Sequence, residues 1–326
     1  MVRLILTLLF SLAISVFINY AGLQVLKRLQ FRQAVRECGP QSHKAKSGTP
    51  VMGGLMIIAA LDLLAVFFLP SLSGLPRLTN EVIILLTLFT LTGVIGFLDD
   101  ILIVIHGKNN GLKPRYKLLG QLIIAALFCA YLLKNGFQTQ VSPLLHLLGM
   151  NNPVLYVLLS SFIVVGVSNA VNLTDGLDGL ASGVALIVFL AFAFIAWYNF
   201  HNTQLALLAL LALIACLGFL VFNYHPARMF MGDVGSLALG TLVAGFALLL
   251  HAELYLALVG LVFVLETLSV IIQVGYFKLT GGRRFFKMAP LHHHLELCGW
   301  PEKRIVHTAW LLTLLLVAAA VIFRIR

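Results

Sequence analysis

Apolar residues run through this chain in long blocks, not at the alternate spacing of a half-buried strand or the 3.6-residue spacing of a half-buried helix. Ten blocks stand out, at residues 2–26, 50–70, 81–98, 117–134, 153–171, 180–198, 203–222, 235–250, 254–277 and 305–323. Each is close to the ~20 apolar residues a helix needs to cross the hydrocarbon core of a bilayer. Lipid offers the backbone no hydrogen bonds, so a segment of this kind must satisfy its own, as a helix does. The pattern therefore predicts an all-α polytopic membrane protein with about ten transmembrane helices. The polar stretches between blocks are too short for a soluble domain of ~50 residues or more. Residues 1–326 are expected to form a single integral-membrane domain whose chemistry lies in loops at the membrane surface.

Composition agrees: of 326 residues, 60% are hydrophobic and 10% charged, which excludes a soluble globule. The net charge of +10 would suit nucleic acid if it formed one basic surface, but its distribution sets topology instead. Seventeen of the 22 Lys and Arg fall in the loops 27–50, 99–117, 223–234 and 278–304, all on one face of a ten-span arrangement. Arg3, Arg77, Lys134, Arg324 and Arg326 fall on the other. The positive-inside rule then puts the basic loops in the cytoplasm and both termini outside, with no nucleic-acid partner. The first block stays apolar too long for a signal peptide and is expected to be a retained span. Cys38 and Cys298 lie in loops and Cys129 and Cys216 in spans, with no CxxC spacing; neither disulfides nor a zinc site is expected.

The acids are few enough to follow singly. Asp99, Asp100, Asp175, Asp178 and Asp233 each stand where a span meets a cytoplasmic loop. Five carboxylates at one membrane level are costly unless cations neutralise them, and the set points to a cytoplasmic Mg²⁺ site that brings phosphates with it. Asp99 and Asp100 end the third block in GFLDD. Neighbours on a helix point ~100° apart, so the two are expected to have separate jobs. Lys108, Lys113, Arg115 and Lys117 follow, either contacting phosphates or anchoring the topology.

In NLTDGLDGLA, Asp175 and Asp178 are three apart and would share one face if a helix begins there, with Asn172 and Thr174 as caps. Asp233 lies between Gly232 and Gly235 before the eighth span, where a helix N-terminus suits phosphate oxygens. Phe230 is read either as a platform for a base or as an interfacial anchor. His292, His293 and His294 cannot all face one ion, so phosphate binding or proton transfer by one or two of them is expected. Lys44, Lys46 and Thr49 precede the second span as candidate phosphate contacts. Asp62 and Glu266 are ionisable groups within spans and hence functional candidates. Asp62 has no evident partner in sequence, while Glu266 and Gln273, seven apart, share a helical face and could line a groove.

In order along the chain, GTPVMGG, GFLDD, GLKPRYKLLGQ, NLTDGLDGLA, PARMFMGDVGSLALG and APLHHHLELCGW resemble the polyprenyl-phosphate N-acetylhexosamine-1-phosphate transferases over nearly the whole length. The APLHHHLEL context is similar to the muramoyl-pentapeptide branch. The resemblance implies a bacterial inner-membrane enzyme that uses Mg²⁺ to move phospho-MurNAc-pentapeptide from UDP-MurNAc-pentapeptide to undecaprenyl phosphate. Lipid I and UMP would be its products, the first membrane step of peptidoglycan synthesis. By motif position it implies Asp233 as magnesium ligand, with Asp99 deprotonating or positioning the lipid phosphate and Asp100 beside it. Asp175 and Asp178 would lie near metal and nucleotide, with Asn172 in the same motif. Asn223, Phe230 and Gly232 resemble uridine-pocket positions, with Lys44 and Thr49 nearby. Lys117, Gln273, Ala289, His292 and His293 would line the donor side, His292 among the catalytic groups. The ninth helix is broken in the family, and a homodimer is its usual assembly.

The runner-up within the enzyme class is transfer of N-acetylglucosamine-1-phosphate to the same lipid. A transporter or flippase is the competing class for any ten-span chain. Transporters place polar residues near the midplane and break helices in matching halves; here the polar clusters lie at the cytoplasmic ends and no repeat joins the halves.

Overall fold

The computed structural model describes residues 2–31, 48–106, 111–137 and 152–322. Lys44, like Lys46 and Lys108, lies outside them. Among the described residues there are twelve helices and no strands. They are α1 (Val2–Arg28), α2 (Gly54–Ser73), α3 (Asn80–His106), α4 (Pro114–Lys134), α5 (Pro153–Thr174) and α6 (Leu180–Tyr198). Then come α7 (Thr203–Asn223), α8 (Gly232–Leu249), α9 (Glu253–Val259), α10 (Leu261–Leu279), α11 (Leu291–Leu297) and α12 (Glu302–Ile322). All but the short α9 and α11 are long and apolar enough to span a membrane, which makes ten and a multi-pass membrane protein.

Three departures from the expected blocks matter for the site. Helix α3 does not stop at residue 98 but runs on to His106, so Asp99 and Asp100 are buried inside a helix instead of ending one. Helix α8 starts at Gly232, which puts Asp233 in its first turn. The ninth block is two helices, divided at Gly260, whose N–H caps α9 on the Leu256 carbonyl at 2.8 Å.

Helix α8 is the centre of the bundle. Every residue from Val234 to Leu249 is buried, and its main packing partners are α3, then α5. Helices α6 and α7 pair beside it, while α1 and α12 lie at the periphery with Phe10, Phe17, Leu311 and Leu315 exposed. An outward apolar face is what contact with lipid tails requires. Small residues let the helices approach closely. A Cβ at Gly96 would stand 2.3 Å from the Asp233 carbonyl oxygen, and one at Gly54 would stand 2.2 Å from the Gly235 Cα. Replacing Gly96 with Val should push α3 from α8 at the level of the acids. Overpacking of this kind costs about 1–3 kcal/mol, and a lower unfolding temperature in detergent would register it; an unchanged one would show that the contact yields easily.

At the face opposite the acids, Asn152 accepts from the Val154 and Leu155 N–H groups and caps α5, and Asn202 accepts from Leu205 N–H and caps α7. Within the bundle, Asp62 does have a partner: the Thr90 hydroxyl of α3 donates to its Oδ2 at 2.9 Å.

Candidate active site

Four segments converge where α3, α4, α5 and α8 meet. From α4, the Lys117 ammonium donates to Asp99 Oδ2 at 3.3 Å and to Asp233 Oδ2, so one cation bridges acids on α3 and α8. Asp99 also accepts the Leu112 N–H at 2.6 Å, which fixes the segment leading into α4. From α5, the Asn172 amide donates to Asp233 Oδ1 at 2.8 Å and to Ser236 Oγ at 2.9 Å. The two neighbouring acids take different partners. Asp100 accepts the backbone N–H groups of Asp233 (3.2 Å) and Val234 (3.1 Å), capping α8 from another helix. Gly232 makes that approach possible: its φ is 75°, and a Cβ there would meet Asp100 Oδ2 at 2.5 Å.

Asp175 and Asp178 do not share a helical face, because α5 ends at Thr174 and α6 begins at Leu180, leaving both acids in the turn between. Nor do Asn172 and Thr174 cap a following helix: Asn172 is taken by Asp233, and the Thr174 hydroxyl donates back to the Ala170 carbonyl. The two acids part company. Burial, then the charges of Asp233, Asp100 and Asp178, push the Asp175 carboxyl well above the usual carboxylate range. Asp178 instead accepts the Ala227 N–H at 3.0 Å and lies 3.1 Å from His225 Nδ1. Glu302 completes that group, 3.2 Å from the same imidazole nitrogen and accepting the Asp178 N–H at 2.7 Å.

The acids at this junction carry the donor chemistry that a divalent cation takes. Asp99, Asp233 and Asp175 offer hard oxygen donors, and the Lys117 ammonium between two of them marks a place where positive charge is received. Among the described residues, the three ligand atoms that all come within 4.8 Å of one another are those of Asp178, His225 and Glu302, and these are already bonded to each other and to nearby backbone.

The loop before α2 is laced to the loop before α8. Phe230 N–H donates to the Pro50 carbonyl, Gly53 N–H to the Phe230 carbonyl and Gly54 N–H to the Met231 carbonyl, at 2.8–2.9 Å. Thr49 is therefore next to a strap that fixes Phe230, whose ring is half-buried. Asn223 is engaged by the protein itself: its oxygen accepts from Gly179 N–H and the Ser182 hydroxyl, and its amide donates to the Met229 carbonyl. Gln273 likewise holds the loop before α11, accepting the Phe286 N–H at 2.8 Å. Ala289 is half-buried in that loop.

The three histidines divide their tasks. His292 Nδ1 lies 3.0 Å from Glu266 Oε2, His293 Nδ1 lies 2.9 Å from Glu296 Oε2, and His294 Nδ1 accepts the Lys287 N–H at 3.1 Å. Only His292 is fully buried. Its Nε2 lies against Gly176, beside Asp175, where a Cβ would be 2.2 Å away. His225 and Glu302 were not singled out by sequence, since neither lies in a motif with another acid or imidazole at helical spacing.

The model of glycosyl transferase family 4 matches residues 82–251, which hold Asp99, Asp100, Lys117, Asn172, Asp175, Asp178 and Asp233. The chain belongs to that family. Among proteins it is similar to, the phospho-N-acetylmuramoyl-pentapeptide-transferase of Geobacillus kaustophilus is 47% identical over 94% of this chain and 93% of its own. The proteins of the same name from Shouchella clausii (46% identical; 94% and 93% covered) and Bacillus subtilis (45% identical; 95% and 94% covered) match as fully. The glycosyl transferase reaches its acidic centre through family segments that are far apart in the chain and meet only in the bundle.

Proposed function

We propose that this chain transfers phospho-N-acetylmuramoyl-pentapeptide from UDP to undecaprenyl phosphate, giving lipid I and UMP, at the cytoplasmic face of the bacterial inner membrane. The names of its full-length relatives support the reaction. The observation that carries the reading is the Asp99–Lys117–Asp233 bridge flanked by Asn172. Transfer between two polyanions is chiefly a matter of neutralising charge and aligning the nucleophile with the leaving group, and this cluster is built for charge.

Asp233, with Asp175 close by, would hold Mg²⁺, which when bound neutralises diphosphate oxygens. Asp99 accepts the proton of the lipid phosphate or orients it for attack on the β-phosphorus of the donor. Asp100 keeps the α8 N-terminus in register with Asp233. Lys117 offsets the charge that the attacking and leaving phosphates bring together. Asn172 orients Asp233, and the strapped loops of Thr49, Phe230 and Gly232, with Asn223 and Asp178 behind them, shape the uridine end. Gln273, Ala289 and His293 position the loop on the sugar-phosphate side, and His292 reaches the centre through the turn at Gly176.

The test is UMP release from purified protein given undecaprenyl phosphate, Mg²⁺ and one UDP-sugar at a time. UDP-MurNAc-pentapeptide should give UMP, and a chelator should stop it until Mg²⁺ is restored. UMP from UDP-N-acetylglucosamine alone would overturn the substrate assignment, and turnover in excess chelator would overturn the metal.

A further inference from the structure

His292 and Glu266 are both buried, at 1% and 5% exposure, on α11 and α10. Glu266 Oε2 accepts the His292 backbone N–H at 3.3 Å and also faces the ring Nδ1 at 3.0 Å. An oxygen that already accepts one N–H in a buried site is matched by a second donor, so the network assigns the ring proton to Nδ1. That leaves Nε2 as the working nitrogen. It is buried and unpartnered, and it is aimed at Gly176, next to Asp175. A buried acceptor nitrogen left without a partner is unfavourable, and a ligand hydroxyl that reached the Asp175 turn and donated to it would relieve that. A carboxylate behind an imidazole is the arrangement that fixes tautomer and direction and stabilises the charged ring.

We propose that Glu266 is a positioning residue of the transfer site: it holds His292 as the Nδ1–H tautomer and directs Nε2, as a hydrogen-bond acceptor, to an O–H of the bound substrate beside Asp175. The proposal rests on the phosphotransfer reading above. Glu266 itself touches no substrate. Its position inside a membrane span follows from this task, since a carboxylate there needs a buried partner.

Two arms test it. In the first, ring ¹⁵N signals of histidine-labelled resting protein are compared among wild type, Glu266→Ala and His292→Gln. The signal missing in His292→Gln should show an unprotonated Nε2 in wild type and averaged tautomers in Glu266→Ala; an unchanged tautomer in Glu266→Ala overturns the proposal. In the second, Glu266→Ala should lower kcat for UMP release roughly 100-fold with KM for the UDP-sugar nearly unchanged. Glu266→Gln, whose amide oxygen can still accept the Nδ1 proton, should recover much of that loss. In the His292→Gln background Glu266→Ala should add little; a full additional loss, or Glu266→Gln as impaired as Glu266→Ala, overturns the proposal. Should Glu266→Ala not fold, Glu266→Asp withdraws the carboxylate by one methylene and is expected to show the same kcat-selective loss and tautomer averaging. Wild type releasing no UMP would fault the phosphotransfer reading instead, and the substrate-free spectra would still decide the tautomer.

Discussion

Asp233→Asn should reduce UMP release by roughly 10³-fold or more while leaving the fold intact. The expectation follows from its neighbours. One carboxylate oxygen takes the Asn172 amide and the other the Lys117 ammonium, so both must be acceptors. Asn offers one acceptor and one donor. Whichever way it turns, a donor faces a donor, and the charge that would hold a cation is gone. Removing a single preorganised electrostatic group from an active site costs about 10²–10³ in rate, and here the loss of the cation adds to it. The measurement is kcat at saturating substrates and Mg²⁺, with the unfolding temperature as the control. Activity within tenfold of wild type would remove Asp233 from the metal assignment.

Much of the architecture was legible because lipid enforces a simple code. A block of ~20 apolar residues has few alternatives to a helix, and all ten expected spans have a counterpart. What the code misread were residues whose partners lie far along the chain. Asp99 and Asp100 resemble the polar end of a span, yet α3 continues because Lys117 and the α8 N-terminus absorb their charge. Asp175 and Asp178 suggested a helical pair, but α5 ends at Thr174 and α6 begins at Leu180, so both acids lie in the turn between. The bond that takes Asp178 away joins it to His225, 47 residues on. Asn223 and Gln273 stood out as ligand contacts by resemblance. In the bundle both hold backbone. Asn, Gln and Glu at such places look alike in sequence whether they bind a ligand or a peptide group.

Lys117→Gln should lower kcat roughly 100-fold, and the reason is the number of acids it serves. Its ammonium neutralises part of the charge of both Asp99 and Asp233, and a neutral side chain leaves two carboxylates facing each other across the α3–α8 contact. Asp99→Asn removes one of those charges, so the two substitutions are not independent. The double variant should be less impaired than the two losses combined predict, with a coupling of about 0.5–3 kcal/mol. Additive losses would mean that Lys117 acts on substrate without reference to Asp99. The same geometry makes a second, independent prediction about the cation. If Lys117 and Mg²⁺ draw on the same carboxylate oxygens, removing the lysine strengthens Mg²⁺ binding even as turnover falls. A ligand that binds the folded state raises the unfolding temperature by an amount that grows with the logarithm of its affinity, so Mg²⁺ should stabilise Lys117→Gln more than wild type. A smaller shift in the variant would place the metal away from the lysine's oxygens and require that Lys117 and the cation act side by side instead of in exchange.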